Sequence, residues 1–195
     1  MQNSFAEVME SSLQTFIGQC WQWNSIPTFG SLVTITQENK TIFGIIYQIQ
    51  TGSSDPVRYP FPYKKTPEEL MAEQPQIFEF LKTTFACVAL GYQEKSKIFY
   101  LIPEKPPPIH SFISTASTQE IKFFFSNKNY LPLLFNTGTA IPCLDELLLA
   151  ILKQQAKLAM LTDTHMNEFI SSFSLLSGND YRRLKLFLQR VETIL

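Results

Sequence analysis

Two histidines, three cysteines and a few adjacent carboxylates are the residues of this 195-residue chain with the chemistry for catalysis. His110 follows Pro106, Pro107 and Pro108 and precedes Ser111, and a Ser–His pair is part of what a hydrolase needs. A nucleophilic serine, however, is usually held on a strained elbow of the form G-x-S-x-G, and the chain has none. His110 and His165 stand in different parts of the chain, so a metal site would need assembly over long range. Cys20, Cys87 and Cys143 are widely separated and lack C-x-x-C spacing; they read as reduced, buried thiols of a cytosolic protein. The acid pairs Glu68-Glu69 and Asp145-Glu146 fall at helix starts, where complementing the positive end of the helix dipole accounts for them. These residue types point away from an enzyme, and no catalytic residue, cofactor or metal is expected.

What remains is binding. Arg58, Tyr59, Phe61, Tyr63, Lys64 and Lys65 interleave cations and aromatics in one proline-rich stretch. Small barrels hold single-stranded nucleic acid with that combination, using rings to stack bases and cations to meet phosphates. A second basic group, Arg182, Arg183, Lys185 and Arg190, lies on the polar face of the last helix. Against both, the formal net charge is −1 and the pI is near 6.1, so no global basic field draws nucleic acid or an anionic membrane. Solvated charges beside loop-anchoring aromatics are the plainer account. Pro106, Pro107 and Pro108 form a rigid extended segment without ladder donors, a surface on which a protein partner can dock together with Arg182, Arg183 and Lys185.

The elements that must carry these residues are clearest from Phe29 to Gln50. Val33 and Ile35 alternate with Thr34 and Thr36, Gln37 to Lys40 makes a polar link, and Phe43, Ile45, Tyr47 and Ile49 recur at period two. That is a β-hairpin with one buried face. Gly44 in mid-strand costs stability unless a bulge, a barrel corner or a closely approaching backbone needs the space. Residues 1–12 read as a short helix or a frayed start. Leu13 to Trp23 reads as a first strand, although its mixed period also fits a helix. Between Thr51 and Gln76, five prolines forbid a central strand. Within that span Thr66 is an N-cap, Pro67 the first helical residue and Glu68-Glu69 the first turn. Gln74-Pro75 then restarts a short helix covering Ile77, Phe78 and Leu81. Thr83 to Tyr92 is apolar on both faces and reads as a central strand covered on both sides. Gln93 to Ser96 turns it into a strand from Lys97 to Ile102. Ile109 to Thr115 is extended again, and Ser117 or Thr118 caps a helix to about Phe125.

After Asn136 the composition changes. Beyond Pro142 there is one glycine and no proline, and the apolar spacing turns helical. Leu144, Leu147, Leu148, Ile151 and Leu152 mark one helix, Thr162-Asp163 breaks it, and a middle helix runs from about Thr164 to Leu175. A last helix follows Asn179, with Leu184, Phe187, Leu188, Val191 and Leu195 on one face. That stripe must pack on the β part, on itself or on a partner. A β domain over residues 1–136 and a helical appendage over 137–195 follow. The 45% hydrophobic fraction and 17 phenylalanines describe a globular chain with an aromatic core. No apolar run nears the ~20 residues of a membrane span. The N-terminal MQNSFAEVMESSLQ lacks the basic residues of a signal peptide. A cytoplasmic location and no membrane partner are expected.

Ile42-Phe43-Gly44-Ile45-Ile46, the strand end Ala89-Leu90-Gly91, and Leu101-Ile102-Pro103 followed by Pro106 to Pro108 stand in a telling order. Hairpin, proline-rich excursion, apolar strand and proline-rich exit together resemble the HAS-barrel, over roughly Leu13 to Phe125. That small barrel is shared by HerA-type DNA-translocating ATPases and the N-terminal domains of ATP-synthase catalytic subunits. The resemblance implies an α+β chain whose small closed β-barrel has about six or seven strands, followed by C-terminal helices. It also implies a role in subunit assembly and partner docking. The chain departs from HerA-like proteins in lacking a G-x-x-x-x-G-K-[ST] phosphate loop, and a helical tail stands where the ATPase would be. The expectation is a non-enzymatic accessory or adaptor protein that docks a protein partner, itself included, with a DNA-processing motor or nuclease as the partner class. The alternative is a single-stranded nucleic-acid-binding module using the loop from Arg58 to Lys65. A third is a hydrolase around His110.

Overall fold

The computed structural model describes residues 4–55, 57, 61–137 and 141–193. Four strands open the chain: β1 (Ser4–Ser11), β2 (Thr15–Cys20), β3 (Leu32–Gln37) and β4 (Lys40–Ser53). Two short helices, α1 (Pro67–Glu73) and α2 (Gln76–Glu79), precede β5 (Leu81–Glu94), β6 (Lys97–Phe99) and β7 (Phe112–Thr115). Five helices follow: α3 (Thr118–Phe125), α4 (Leu131–Asn136), α5 (Leu144–Lys157), α6 (Asp163–Leu176) and α7 (Tyr181–Val191). The strands run in the order β2-β1-β7-β3-β4-β5, all neighbours antiparallel, and β5 pairs back onto β2. The result is an α+β chain built on a closed six-stranded antiparallel barrel, with β6 hydrogen-bonded outside the ring to the end of β5. Closure leaves the ring without a free sheet edge.

Alternation along the strands divides the buried residues between two clusters. Val8, Phe16, Val33, Ile35, Ile42, Ile46, Phe85, Cys87, Ala89 and Ile113 fill the barrel. Leu32, Phe43, Ile45, Val88 and Leu90 share a second cluster with Phe124, Leu134, Leu147, Leu148, Ile151, Phe169, Phe173 and Phe187 of the helices. The helices therefore cover the β3–β4–β5 wall from outside. This is why Thr83 to Tyr92 is apolar on both faces, as its pattern requires. It also corrects the one-faced hairpin: Ile42 through Ile46 are buried on both sides. A bulge between Ile46 and Gln48 then moves Ile49 to the barrel's inner cluster, whereas Tyr47 packs with the helical one.

Gly44 is a matter of space. A Cβ there would lie 2.6 Å from Phe16 Cζ, inside the barrel. Gly91 is different: its φ is +147° and a Cβ would strike the Phe99 carbonyl.

Other expectations change at points where long-range pairing decides. Residues 4–11 are a strand, because β2 and β7 flank them and bury Ala6 and Val8 on alternate positions. The β3–β4 turn is two residues, with Glu38 at φ 45°. Leu81 belongs to β5 rather than α2, where it pairs with Ser53. β6 stops at Phe99, short of Ile102, because Tyr100 leaves the ladder and its Oη donates to the Phe124 carbonyl of α3 at 2.5 Å. β7 starts only at Phe112, since His110 turns the chain at φ 65°. α4 lacks a sequence signature beyond Pro132 in its first turn. The capping boxes at Thr66/Glu69 and Ser117/Glu120 form as their spacing requires. The last helix ends at Val191, and Leu195 lies outside the described residues. Among the described residues no helix is long and apolar enough to cross a membrane.

Candidate functional site

The basic–aromatic loop is only partly described. Arg58 and Tyr59 lie outside the described residues. Phe61 is 63% exposed, and its ring tilts onto Tyr63 with centroids 4.3 Å apart. Lys64 sits at positive φ, whereas the Lys65 ammonium is taken by Glu73 of α1. One open aromatic face and one unpaired cation remain among the described loop residues.

The cations of α7 divide in the same way. Arg183 forks onto Asp145, with Nη2 at 2.6 Å and Nε at 3.2 Å from the carboxylate, and lies over the rings of Phe135 and Phe173. Its hydrogen bonds to Asp145 raise its pKa, against the cost of burial. Arg190 pairs with Glu146 at 2.7 Å, which lowers that carboxylate's pKa. The two acids at the start of α5 thus tie α7 to α5, which adds to their effect on the helix dipole. Arg182 and Lys185 are exposed and make no ion pair among the described residues. In the proline run Pro107 is buried, whereas Pro106 and Pro108 are exposed, so the segment rests on the molecule by its middle residue.

Two polar groupings were not foreseen from sequence. The first lies on the outer wall of the barrel where β1, β2 and β7 run together. Ala6 and Val8 point inward, so Glu7 between them points out. Trp21, just past β2, donates from Nε1 to Glu7 Oε1 at 2.9 Å, and Glu7 Oε2 is 3.2 Å from His110 Nδ1. The Trp21 indole meets Phe112 edge to face at 5.4 Å, and it is 50% exposed. Met9, Ile109 and Phe112 are exposed as well, the first two beside the backbone bonds that join Val8 to His110 and Ser111. His110 has Glu7 as its partner, on an open wall, and no serine hydroxyl is among its hydrogen bonds; the Ser111 pairing does not form among the described contacts. The signal that could have located this group is the period-two burial of Ala6 and Val8.

The second grouping lies among the helices. Lys128, on the α3–α4 turn, has only 7% of its side chain exposed, and its Nζ is 2.8 Å from His165 Nε2 at the start of α6. The same His165 nitrogen is 2.9 Å from Oε1 of Gln155, a fully buried residue of α5. Glu168 stands 3.9 Å from the lysine on its open side. Burial pulls the Lys128 pKa down to about 8, with Glu168 opposing it. His165 is lowered by burial and then by the lysine's charge. Behind them, the Tyr130 hydroxyl and the Gln155 Nε2 are buried without a hydrogen-bond partner among the described residues, and burial drives the tyrosine pKa up.

Among the described residues no three His, Cys, Asp or Glu side chains come together as metal ligands. Cys20 and Cys87 are buried thiols, the first pushed up to about 11 by burial. Cys143 is exposed at the N-cap of α5, a correction to the reading of three buried thiols. No protein-family model matches the chain, and no curated protein matches it either.

Proposed function

We propose that the chain is a non-enzymatic adaptor of the HAS-barrel type, whose barrel docks a protein partner through the outer wall around Trp21 and Phe112. The observation that carries this reading is the exposed aromatic pair itself. The closed ring leaves β6 as the one edge strand among the described residues, so what the ring's own wall presents is a side-chain patch. Trp21 and Phe112 are each about half exposed, while the hydrogen bond from Nε1 to Glu7 holds the indole in place before any partner arrives. Preorganised tryptophans of this kind carry a large share of interface energy. A DNA-processing motor or nuclease is the partner class that the resemblance implies.

The test is affinity capture of the tagged chain from its native lysate with and without nuclease, comparing wild type with the Trp21→Ser, Phe112→Ser double variant. Circular dichroism first establishes that the variant is folded. A protein partner that survives nuclease and is lost from the double variant is the expected result. A partner retained in full by the variant overturns the docking wall, and the absence of any nuclease-resistant partner overturns the adaptor.

A second reading rests on Phe61, whose open ring beside Lys64 suits a single-stranded nucleic acid. Its affinity for an oligonucleotide would fall steeply as salt rises, and Phe61→Ala would weaken it; a flat salt response excludes it.

A further inference from the structure

We propose that Lys128 is the amine of a covalent site that takes a small, neutral hydroxyaldehyde as an imine, within the cleft between the α3–α4 turn and α6. The cleft, of about 690 Å³, is lined by Ser126, Asn127, Thr164, Asn167 and Ser171 together with Lys128 and Glu168. Hydroxyls and amides of this kind match a polyol by hydrogen bonding and offer nothing to an apolar ligand. Lys128 lines the cleft with 7% of its side chain exposed, and its Nζ is 3.9 Å from Glu168 of the same lining.

The geometry behind the amine favours a neutral nitrogen. His165 Nε2 faces both Lys128 Nζ and Gln155 Oε1. That ring nitrogen carries either one hydrogen or one lone pair, so it cannot serve both neighbours, and an ammonium there competes with the Gln155 amide. Burial acts in the same direction, since desolvation disfavours the charged lysine and places its pKa at about 8. Glu168, 3.9 Å from the amine, pulls the other way, but burial is the larger effect.

The step balances without a further reagent. The lysine nitrogen attacks the aldehyde carbon, and the carbonyl π pair moves to oxygen, which takes a proton. The carbinolamine then loses that oxygen as water, with two hydrogens that were on the amine, and a C=N bond remains. Proton exchange runs through the open cleft. Glu168 supplies the counter-charge for the protonated imine and repels an anionic aldehyde, which is why the ligand is assigned as neutral.

The purified 195-residue chain is incubated at neutral pH with glyceraldehyde and cyanoborohydride, and the reduced adducts are mapped by peptide mass spectrometry. Lys128 should be labelled about tenfold or more faster than exposed Lys105, Lys122 and Lys153, a discounted form of the roughly hundredfold larger neutral fraction that its lowered pKa gives. Its rate should level off above about pH 8. Glyoxylate, an anionic aldehyde, should label it more slowly than glyceraldehyde, and Glu168→Gln should narrow that difference. Lys128 labelling no faster than the exposed lysines overturns the site. So does an equal excess in urea-unfolded chain, where the fold can have no part in it. Glyoxylate reacting as fast as glyceraldehyde overturns the assignment to neutral aldehydes.

Discussion

Gly44→Ala is the substitution that tests the barrel's packing most directly. Alanine in place of glycine within a strand gains about 0.5–1 kcal/mol from the unfolded chain's lost freedom. Here that gain meets a fixed obstacle. The new Cβ would lie 2.6 Å from Cζ and 2.8 Å from Cε1 of Phe16, a ring that is 2% exposed and enclosed by the barrel's inner cluster. Overpacking of a close-packed core costs about 1–3 kcal/mol, so the net effect should be a loss of about 1–2 kcal/mol. Urea unfolding followed by tryptophan fluorescence should show the midpoint falling by roughly 0.5–1 M at unchanged slope. Phe16→Leu removes the atoms that collide and by itself should cost about 1–2 kcal/mol in lost packing. Combined with Gly44→Ala it should cost less than the sum, with a coupling of about 1 kcal/mol, because the methyl enters space that the ring vacated. An additive pair, or a Gly44→Ala variant at least as stable as wild type, would refute the argument that the glycine exists for the ring.

Two further predictions concern charge. Arg183→Lys should lose roughly 1 kcal/mol in thermal unfolding, nearly as much as Arg183→Ala, since an ammonium cannot fork onto Asp145 while lying on Phe135 and Phe173. An Arg183→Lys variant that melts with wild type would show the pair to be ornamental. For Lys128, burial lowers the pKa from 10.5 to about 8, so between those values the unfolded chain holds more protons and stability rises with pH. Below about pH 8 the full cost of the buried charge is present. Lys128→Met should therefore be more stable than wild type at neutral pH by about 1–2 kcal/mol and lose that advantage towards pH 10. Urea midpoints across the alkaline range check this, and the buried Cys87 thiol, which titrates in both proteins, cancels in the difference. A difference that does not change with pH counts against a buried, titrating Lys128.

What could be read along the chain was whatever local order encodes. The β3–β4 hairpin, the two-faced β5, the N-cap at Thr66 and the three C-terminal helices each declare themselves within a dozen residues. β1 does not, because only Ala6 and Val8 alternate, and the stretch is a strand by virtue of β2 and β7 beside it. The surroundings of the candidate site residues were illegible for the same physical reason. Composition marks Arg183 and Arg190 as free cations, but Asp145 and Glu146 on another helix neutralise them. Conversely, Glu7, Trp21 and His110 carry no joint signal, since a strand pairing brings residues from the two ends of the barrel sequence together. Lys128 and His165 meet only because α6 folds back across the α3–α4 turn.

The destination of the helical stripe alters how function can be tested. From sequence, a stripe running through Leu147, Leu148, Ile151 and Phe187 suits a docking surface as well as a core. In the folded chain those side chains belong to one buried cluster with Leu32, Phe43, Ile45, Val88 and Leu90 of the barrel wall. Each of these residues is at most 2% exposed, and stripping the helices away would return several large apolar side chains to water at about 1.5–3 kcal/mol apiece. That exceeds what a marginally stable domain can lose. Deleting residues 141–195 would therefore unfold the barrel and abolish any partner, wherever it binds. A docking test must use point changes on surfaces that the core does not need, and the Trp21–Phe112 wall, outside both buried clusters, is such a surface.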